Sequence, residues 1–449
     1  MDEPTTKLPG NLLFVAEQLS HYNRNRFKIE PTGSDTGKAG QIVTINLPEN
    51  CLIDSAAIRW HFHADAGHAT GGVAGLLPEN ADAFIGNLEV YVNGIQVQQS
   101  AQEYNTIAHA LRLGGQSQAS QQTKGRLVNH SAIYADMSNA ALGIAPGSSG
   151  EKASLVVDSW AGFLNQVSTR FINTQILGNI QIRLTLASNA VLSACLTNKK
   201  ADDVALNDAE APKYTLSNMY FTVDSIVVPD AYNQLLRNQL AHSVLPLNYN
   251  EYYTFVVPHT AGTHVKNTFS LASGSIDKLM ALNRVHDYDT FGAAIDISGR
   301  SPLETIGNKL VGKYFASSSF KADADTDFED GALRWSWSVN NCKYPQYDAT
   351  NSEAMADVAY TCDKVGFGAD GILVSSPGAF CNGLAIYSLQ LNHPGLGLKC
   401  QSGYNSRGIN STLSFNMTGL KSSAKNSIVV ACTTAQMRIG SGKSVTVSF

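Results

Sequence analysis

The stretch Ile58-Arg59-Trp60-His61-Phe62-His63 alternates apolar and polar side chains, as a β-strand with one buried face does. The same period of two residues recurs along the chain, in residues 88–92, 180–186, 333–339, 409–417 and 445–449. Strands that bury one face and expose the other are typical of antiparallel sandwich sheets, whereas buried parallel strands are apolar on both faces. The pattern therefore predicts an all-β protein.

The composition fits a globular protein with an ordinary core. Of the 449 residues, 43% are apolar and only 15% are charged, against the roughly 25% charged residues of an average soluble domain. The 32 Lys and Arg residues are scattered singly and are outnumbered by 37 Asp and Glu residues, which gives a net charge of −5. Proteins that coat nucleic acid neutralise phosphates with a basic arm or patch. We therefore expect no sequence-specific nucleic-acid partner.

The sequence also indicates where the protein folds. Its first seven residues are acidic and polar, unlike the start of a secretory signal. No stretch approaches the eighteen or so apolar residues that span a bilayer. Seven cysteines are dispersed without a Cys-x-x-Cys pair: Cys51, Cys195, Cys342, Cys362, Cys381, Cys400 and Cys432. Such a set is typical of buried, reduced thiols, so we expect the protein to be made and folded in a cytosol-like compartment and not to be secreted.

Three short helices are predicted among the strands. Ser100-Ala101-Gln102-Glu103 and Thr350-Asn351-Ser352-Glu353 both have the form of a capping box, which marks a helix N-terminus. A third helix begins at Asp230, and its apolar stripe consists of Tyr232, Leu235, Leu236 and Leu240.

The elements occur twice in the same order. In the first half, a strand ending in Val92-Asn93-Gly94 precedes a short link and a capping box; in the second half, a strand ending in Val339-Asn340-Asn341 does the same. Corresponding strands begin at Asn179 and Ile409, about 230 residues apart, which is too long for a solenoid repeat. We predict two tandem jelly-roll β-sandwiches with short inserted helices and long loops. The predicted boundaries are an N-terminal arm with an amphipathic helix (1–28), a first jelly roll (29–228) and a second (229–449).

At this level of detail the chain resembles the double jelly-roll major capsid proteins of tailless icosahedral DNA viruses. The resemblance covers most of the chain through degenerate patterns and is carried by residues 52–60, 88–94 with 103–105, 214–221, 275–279, and 339–347 with the helix at Thr350. It implies a structural protein of the virion, a homotrimeric capsomer of pseudo-hexagonal outline, and no enzymatic activity. Further copies of the chain, minor capsid proteins and vertex proteins are the partners it implies. The long loops 67–80, 114–150 and 292–330 would form outer towers.

The N-terminal segment allows two interpretations. Leu8, Leu12, Val15 and Leu19 recur at helical spacing, and the basic residues Arg24, Arg26 and Lys28 follow them. The capsid resemblance favours an arm beneath the shell, in contact with a neighbouring capsomer or with an internal membrane. A short helix packed on its own domain is the alternative.

One segment imitates a phosphate-binding loop. Residues 440–444 read Gly-Ser-Gly-Lys-Ser, but Met437 stands where that motif needs its first glycine. Only five residues follow Ser444, and they alternate like a strand rather than a helix. We predict a Gly-rich hairpin turn and no cofactor.

Two other segments imitate metal sites. Three histidines lie close together in sequence: His61, His63 and His68. The acidic run 323–330 has the start of a calcium loop, yet Phe328 occupies the position that needs glycine and Arg334 the position that needs glutamate. A polar sheet face and a solvated loop are the better interpretations. We therefore assign no catalytic, cofactor-binding or metal-binding residue.

Three other classes of protein compete with the capsid interpretation. A single-jelly-roll RNA-virus capsid protein with a projecting domain would carry an arginine-rich arm, whereas residues 1–30 hold only four basic side chains. An extracellular carbohydrate-binding or glycoside-cleaving sandwich protein would use exposed aromatic side chains. The alternation instead places Trp60, Trp335 and Trp337 in the two barrel cores. A minor vertex protein of the same virus class would form pentamers.

Overall fold

The computed structural model describes the chain in segments, which together contain both predicted barrels. The described residues are 23–69, 73–78, 80–115, 152–169, 171–196, 213–227, 230–242, 244–258, 264–284, 309–311, 334–362, 386–392, 403–408, 411–419 and 426–448.

The first half of the chain consists of strands and two helices. The strands are β1 (Asn23–Ile29), β2 (Gly37–Lys38), β3 (Ile42–Asn46), β4 (Leu52–Asp54), β5 (Arg59–Asp65), β6 (His68–Ala69), β7 (Val73–Leu76), β8 (Ile85–Val92), β9 (Ile95–Ala101), β10 (Lys152–Val157), β11 (Phe171–Asn173), β12 (Ile180–Leu186), β13 (Ser193–Leu196) and β14 (Thr215–Val227). The helices are α1 (Tyr104–Gly115) and α2 (Thr174–Leu177).

The second half repeats this plan after an opening helix. Its helices are α3 (Asp230–His242) and α4 (Asn351–Cys362). Its strands are β15 (Leu245–Pro258), β16 (His264–Phe269), β17 (Ile276–Arg284), β18 (Lys309–Val311), β19 (Arg334–Val339), β20 (Cys342–Ala349), β21 (Tyr387–Gln390), β22 (Leu413–Thr418), β23 (Asn426–Ile439) and β24 (Val445–Ser448).

Each half forms two antiparallel sheets with the same strand order. In the first half, one sheet runs β1-β14-β5-β10, with β2, β4 and β11 added beside it, and the other runs β3-β12-β8-β9. In the second half the matching orders are β15-β23-β17-β21 and β16-β22-β19-β20. When only the eight strands named in these orders are counted along each half, the first pairs with the eighth and the second with the seventh, which is the jelly-roll order. The prediction of two tandem jelly rolls is confirmed.

The predicted alternation fills both cores. Trp60 and Phe62 on β5 and Ile58 just before it are buried, while Arg59 and His61 between them remain partly exposed. In the second barrel, Trp335 on β19 lies 5.5 Å from Tyr387 on β21, measured between ring centroids, so it bridges the two sheets. Trp337 is also buried, against Phe415 of β22. The core positions predicted for the three tryptophans are confirmed.

Tight turns connect the fourth and fifth strands of each barrel. Asn93 and Gly94 in the first barrel, and Asn340 and Asn341 in the second, all have positive φ angles between 48° and 77°. Two successive residues of this conformation form the turn whose twist matches a hairpin, and Asn and Gly tolerate it best. The hairpin partners are β9 and β20, where the sequence predicted only short links.

The helix N-terminus predicted from the first capping box, at Ser100, is wrong. Ser100 lies in β9, whose end pairs with β8, and α1 begins four residues later at Tyr104. The carbonyl of Glu103 accepts hydrogen bonds from the amides of Thr106 and Ile107 instead. Hairpin pairing therefore prevails over the local capping signal.

The second capping box is confirmed and predicts an acid-sensitive helix end. The Glu353 carboxylate accepts hydrogen bonds from the Thr350 amide at 2.6 Å and from the Thr350 hydroxyl at 3.0 Å. The Thr350 amide, followed by the Tyr347 hydroxyl, lowers the pKa of Glu353 below its ordinary value. The stabilisation is thus complete above the unfolded-state pKa, near ~4.3, and is lost as the pH falls through the lower folded-state pKa.

Replacing Glu353 with Ala should lower the free energy of unfolding by about 0.5–2 kcal/mol at pH 7, the usual range for a helix cap. The difference from the unmodified protein should become smaller as the pH is lowered from 7 to 3, because protonation of Glu353 removes the charge-dependent part of the cap. Thermal unfolding at the two pH values measures it, with Glu30→Ala as the control for loss of a carboxylate on the exposed surface. An equal loss at both pH values would contradict the charge-dependent cap.

The domain boundaries differ from the sequence expectation at the N-terminus. The predicted boundary at residue 28 falls inside β1, which starts at Asn23 and pairs with β14 along its whole length. The leucine-spaced segment before it lies outside the described residues. Helix α3 begins at Asp230 as predicted, but Leu235 of its expected stripe is 68% exposed.

Candidate assembly surfaces

The two barrels are joined by strand β15 of the second, which lies against β9 of the first. Tyr249 of β15 is buried, and its hydroxyl donates a hydrogen bond of 2.5 Å to the carbonyl of Val97 on β9. Burial, followed by the nearby Glu251 and Tyr253, raises the pKa of Tyr249 above its ordinary value, which keeps the phenol a donor. Further along, the Thr254 hydroxyl donates to the carbonyl of Gln102 at 2.9 Å.

The segment after β10 completes this joint. Phe163 meets the Tyr249 ring edge to face, with the ring centroids 5.3 Å apart. The Ser168 amide donates to the Asn248 carbonyl at 2.7 Å, and the Asn248 amide donates to the Ser168 hydroxyl at 3.3 Å. Aromatic contact and backbone pairing together fix the position of β15 on the first barrel.

A second joint is centred on the side chain of Asn93. Its amide nitrogen donates to the carbonyl of Leu177 at 2.5 Å and to that of Lys443 in the second barrel at 3.0 Å. Its amide oxygen accepts from the Asn179 amide at 3.1 Å. Gly178 has a φ of +85°, and a Cβ placed on it would lie 2.2 Å from that oxygen.

Replacing Gly178 with Ala should therefore displace the Asn93 side chain and break its hydrogen bonds to Leu177, Asn179 and Lys443. We expect a loss of about 1–3 kcal/mol, since the backbone here has a conformation nearly restricted to glycine. Gly94→Ala is the matched control, because Gly94 also has a positive φ but faces open space. Thermal unfolding should show a clearly larger decrease in Tm for Gly178→Ala; equal decreases would contradict the role of the Asn93 contacts.

Two further contacts tie the halves together. Helices α1 and α4, which follow the matching hairpins, lie against each other. Strand β18 of the second half pairs with β13 of the first, in a sheet of order β18-β13-β7-β6. The loops of the two barrels are thus interleaved rather than separate.

β1 of the first barrel corresponds to β15 of the second, and β20 of the second corresponds to β9 of the first. Both β1 and β20 are exposed. In β1, residues 24–28 are exposed, and in β20 only Pro345 and Ala349 are not. Within the described part of the chain, β1 is paired along its length only with β14 and β20 only with β19. Both strands therefore present a free edge.

The free edge of β1 is basic and polar. Arg24 and Arg26 both donate to the Asp224 carboxylate, at 3.0 and 2.6 Å, and their own side chains remain more than half exposed. Hydrogen bonds from Arg26, followed by those from Arg24, lower the pKa of Asp224. Lys28 lies 4.7 Å above the Tyr220 ring. At this end of the strand is a cleft of about 520 Å³, lined in part by Lys28, Glu30, Asp35, Asn218, Met219 and Tyr220.

The histidines belong to a polar sheet face. His61 stacks on Tyr220, with ring centroids 4.7 Å apart, and its Nε2 lies 2.9 Å from the Thr222 hydroxyl. Burial, followed by the charges of Arg59 and Arg26, lowers the pKa of His61. His63 contacts the Ser154 hydroxyl at 3.3 Å. Among the described residues, no group of three His, Cys, Asp or Glu side chains is arranged to hold a metal ion.

The phosphate-loop lookalike is a hairpin turn. Residues Ser441–Lys443 form a short 3-10 turn, and β24 follows where a nucleotide site would need a helix. The acidic run 323–330 lies outside the described residues. Cys51 and Cys432 are buried thiols and Cys342 is an exposed one. No helix in the described segments is long and apolar enough to cross a membrane.

Solved structures of other proteins have the same architecture. A quasi-atomic model of the PBCV-1 virus capsid matches 96% of this chain and 97% of its own, with a TM-score of 0.61 and 13% sequence identity. The chain has the double jelly-roll fold. The Sputnik virophage structure has a TM-score of 0.54 at 12% identity and covers 96% of this chain and 88% of its own.

The Faustovirus major capsid protein shares the double jelly-roll fold with a TM-score of 0.52 at 9% identity, and the match covers 93% of this chain and 91% of that one. Neither a family model nor a curated protein sequence matches the chain. The chain therefore shares the double jelly roll with proteins to which it is only 9–13% identical in sequence.

Proposed function

We propose that this chain is a major capsid protein whose three copies form a capsomer of pseudo-hexagonal outline. One observation carries the proposal: two jelly rolls with identical strand order are joined through buried contacts into one unit. Three such units place six similar barrels in a ring, and a rigid pair of barrels supplies one third of that ring. The role is structural rather than enzymatic, and the place of the protein is the virion.

The same proposal names the partners. Neighbouring capsomers, minor capsid proteins and vertex proteins would contact the outer faces of the ring. An internal membrane would be a partner only through the N-terminal segment.

The competing functions fit less well. A carbohydrate-binding sandwich would need an exposed aromatic platform, and Trp60, Trp335 and Trp337 are buried. An RNA-virus capsid protein of the single-jelly-roll class would contain one barrel with the jelly-roll order instead of two.

Light scattering on the purified protein should give a mass three times the 48.1 kDa of one chain. Electron microscopy of the same sample should show particles with a six-cornered outline. A stable monomer at micromolar concentration, or a pentamer, would contradict the major-capsid role. A pentamer would instead favour the vertex protein.

A further inference from the structure

The internal duplication gives each barrel the same two joining strands. β1 and β15 are the first strands of their barrels, and they pair with the matching eighth strands, β14 and β23. β9 and β20 are the fifth strands, and each forms the edge of the opposite sheet beside the Asn-containing turn. Of these four strands, the joint within one chain uses only β9 and β15.

The strands that form the joint within the chain, β9 and β15, are more buried than their counterparts β20 and β1. On β15, Leu247, Tyr249 and Tyr252 are buried, and on β9 Val97 and Gln98 are buried. The matching β1 and β20 are exposed over most of their length. The chain thus contains a completed joint between β9 and β15, while β1 and β20 are the two separate halves of another joint of the same kind.

We propose that β20 of one copy docks against β1 of the next copy, in the manner of β9 against β15 within the chain. This inference rests on the proposed trimeric capsomer and identifies the surfaces that close it. The contact is head-to-tail: each copy contributes β20 on one side and β1 on the other. Such a heterologous contact generates a ring when its rotation closes, and three copies make six joints of one kind.

The chemistry of the two edges is complementary. β20 presents Tyr344 and Tyr347, which are 41% and 58% exposed. Facing them would be Phe27, which is 38% exposed, and the cations Arg24 and Arg26. Tyrosine and arginine are enriched at protein interfaces, and a guanidinium over a tyrosine ring is attractive.

The charges around the edges have opposite sign. The β20 side has three carboxylates, those of Asp348, Glu353 and Asp357, against two cations, Lys343, which lies 2.6 Å from Asp348, and Arg334, so a negative excess remains. The β1 side has two arginines on one carboxylate, which leaves a positive excess. Such complementarity fixes the order of the copies around the ring and disfavours β1 against β1.

Two single substitutions test the β1 edge and the β20 edge one at a time. Phe27→Asp puts an acid into the β1 edge, and Tyr347→Arg puts a cation into the β20 edge while keeping a partner for Glu353, to which Tyr347 now donates. Because every contact in the ring needs one β1 and one β20, each variant alone should be monomeric, a threefold drop in mass by light scattering. The Tm of the monomeric variants is measured alongside to confirm that they fold. Ile42→Asp and Leu235→Arg, at exposed positions elsewhere, should remain trimeric.

Mixing the two variants provides the decisive test. One intact β20 and one intact β1 remain in the mixture, so a 1:1 heterodimer should form and no trimer. Homodimers of either single variant would show that like edges pair, which overturns the inference. Trimers that survive both substitutions would overturn it as well, while leaving the proposed capsomer intact. An unmodified protein that is not a trimer would instead overturn the proposed function.

Cross-linking tests the same contact without disrupting it. Cys342 is an exposed thiol on β20, and Asn25→Cys places a second one on β1. A short bis-maleimide should link chains into covalent dimers and trimers, and Cys342→Ser in the same background should abolish them. Covalent links confined to single chains would show that a chain covers its own β1, contrary to the proposal.

Discussion

Replacing Trp60 or Trp335 with Ala should prevent the chain from folding or from assembling, one variant acting through each barrel. Trp60 is 0% exposed and lies 4.3 Å from Phe62 and 6.3 Å from Phe221, measured between ring centroids. Trp335 is 1% exposed and donates a hydrogen bond of 2.8 Å to the carbonyl of Thr350. Truncating a buried tryptophan costs about 3–5 kcal/mol, a large part of a domain's stability.

The measurements are soluble yield, thermal unfolding and light scattering. Leu235→Ala is the control, because it removes a large apolar side chain from an exposed site, where a change of about 0.5 kcal/mol or less is usual. If both tryptophan variants formed normal oligomers and lost only a sugar ligand, the capsid role would be wrong and a carbohydrate-binding sandwich would replace it.

The fold was predictable because its strands have two different faces. Period-two alternation located β5, β8, β12, β19, β22 and β24 closely, since each of these strands has one face turned towards a barrel core. Strand β20 shows the limit of this signal: it is exposed along nearly all of its length, so its sequence carries no alternation. Trp160 was missed for a related reason, because it lies in a segment with no regular period although it is buried against Phe221.

The joints between the barrels were not predictable. Asn93 is recognisable in the sequence only as a turn residue, yet its side chain contacts Leu177 and Lys443, which are 84 and 350 positions away. By sequence, Arg24 and Arg26 belong to the predicted N-terminal arm, but their carboxylate partner Asp224 is 200 and 198 positions away. Local patterns contain no information on which of many polar side chains meet after folding.

Removing either member of the Asp82–Arg112 ion pair should destabilise the first barrel strongly. Asp82 lies in the short turn before β8 and Arg112 in the last described turn of α1, and their side chains are only 2% and 4% exposed. A buried ion pair is weak evidence for net stability, but a single deletion leaves a charge in a site of low polarity. Asp82→Asn and Arg112→Met should each cost about 3–5 kcal/mol on this basis.

The double variant separates this effect from simple loss of packing. Asp82→Asn combined with Arg112→Met removes both charges, so it should recover much of the stability that each single variant loses. Thermal unfolding of the four proteins gives the coupling between the two residues, and Lys152→Met, which breaks the partly exposed pair with Asp65, is the control with little expected loss. Additive losses in the double variant would contradict a charge-based origin. Because α1 lies against α4 of the second barrel, each single variant should also weaken the contact between the two barrels. Limited proteolysis of the single variants and the unmodified protein measures this effect.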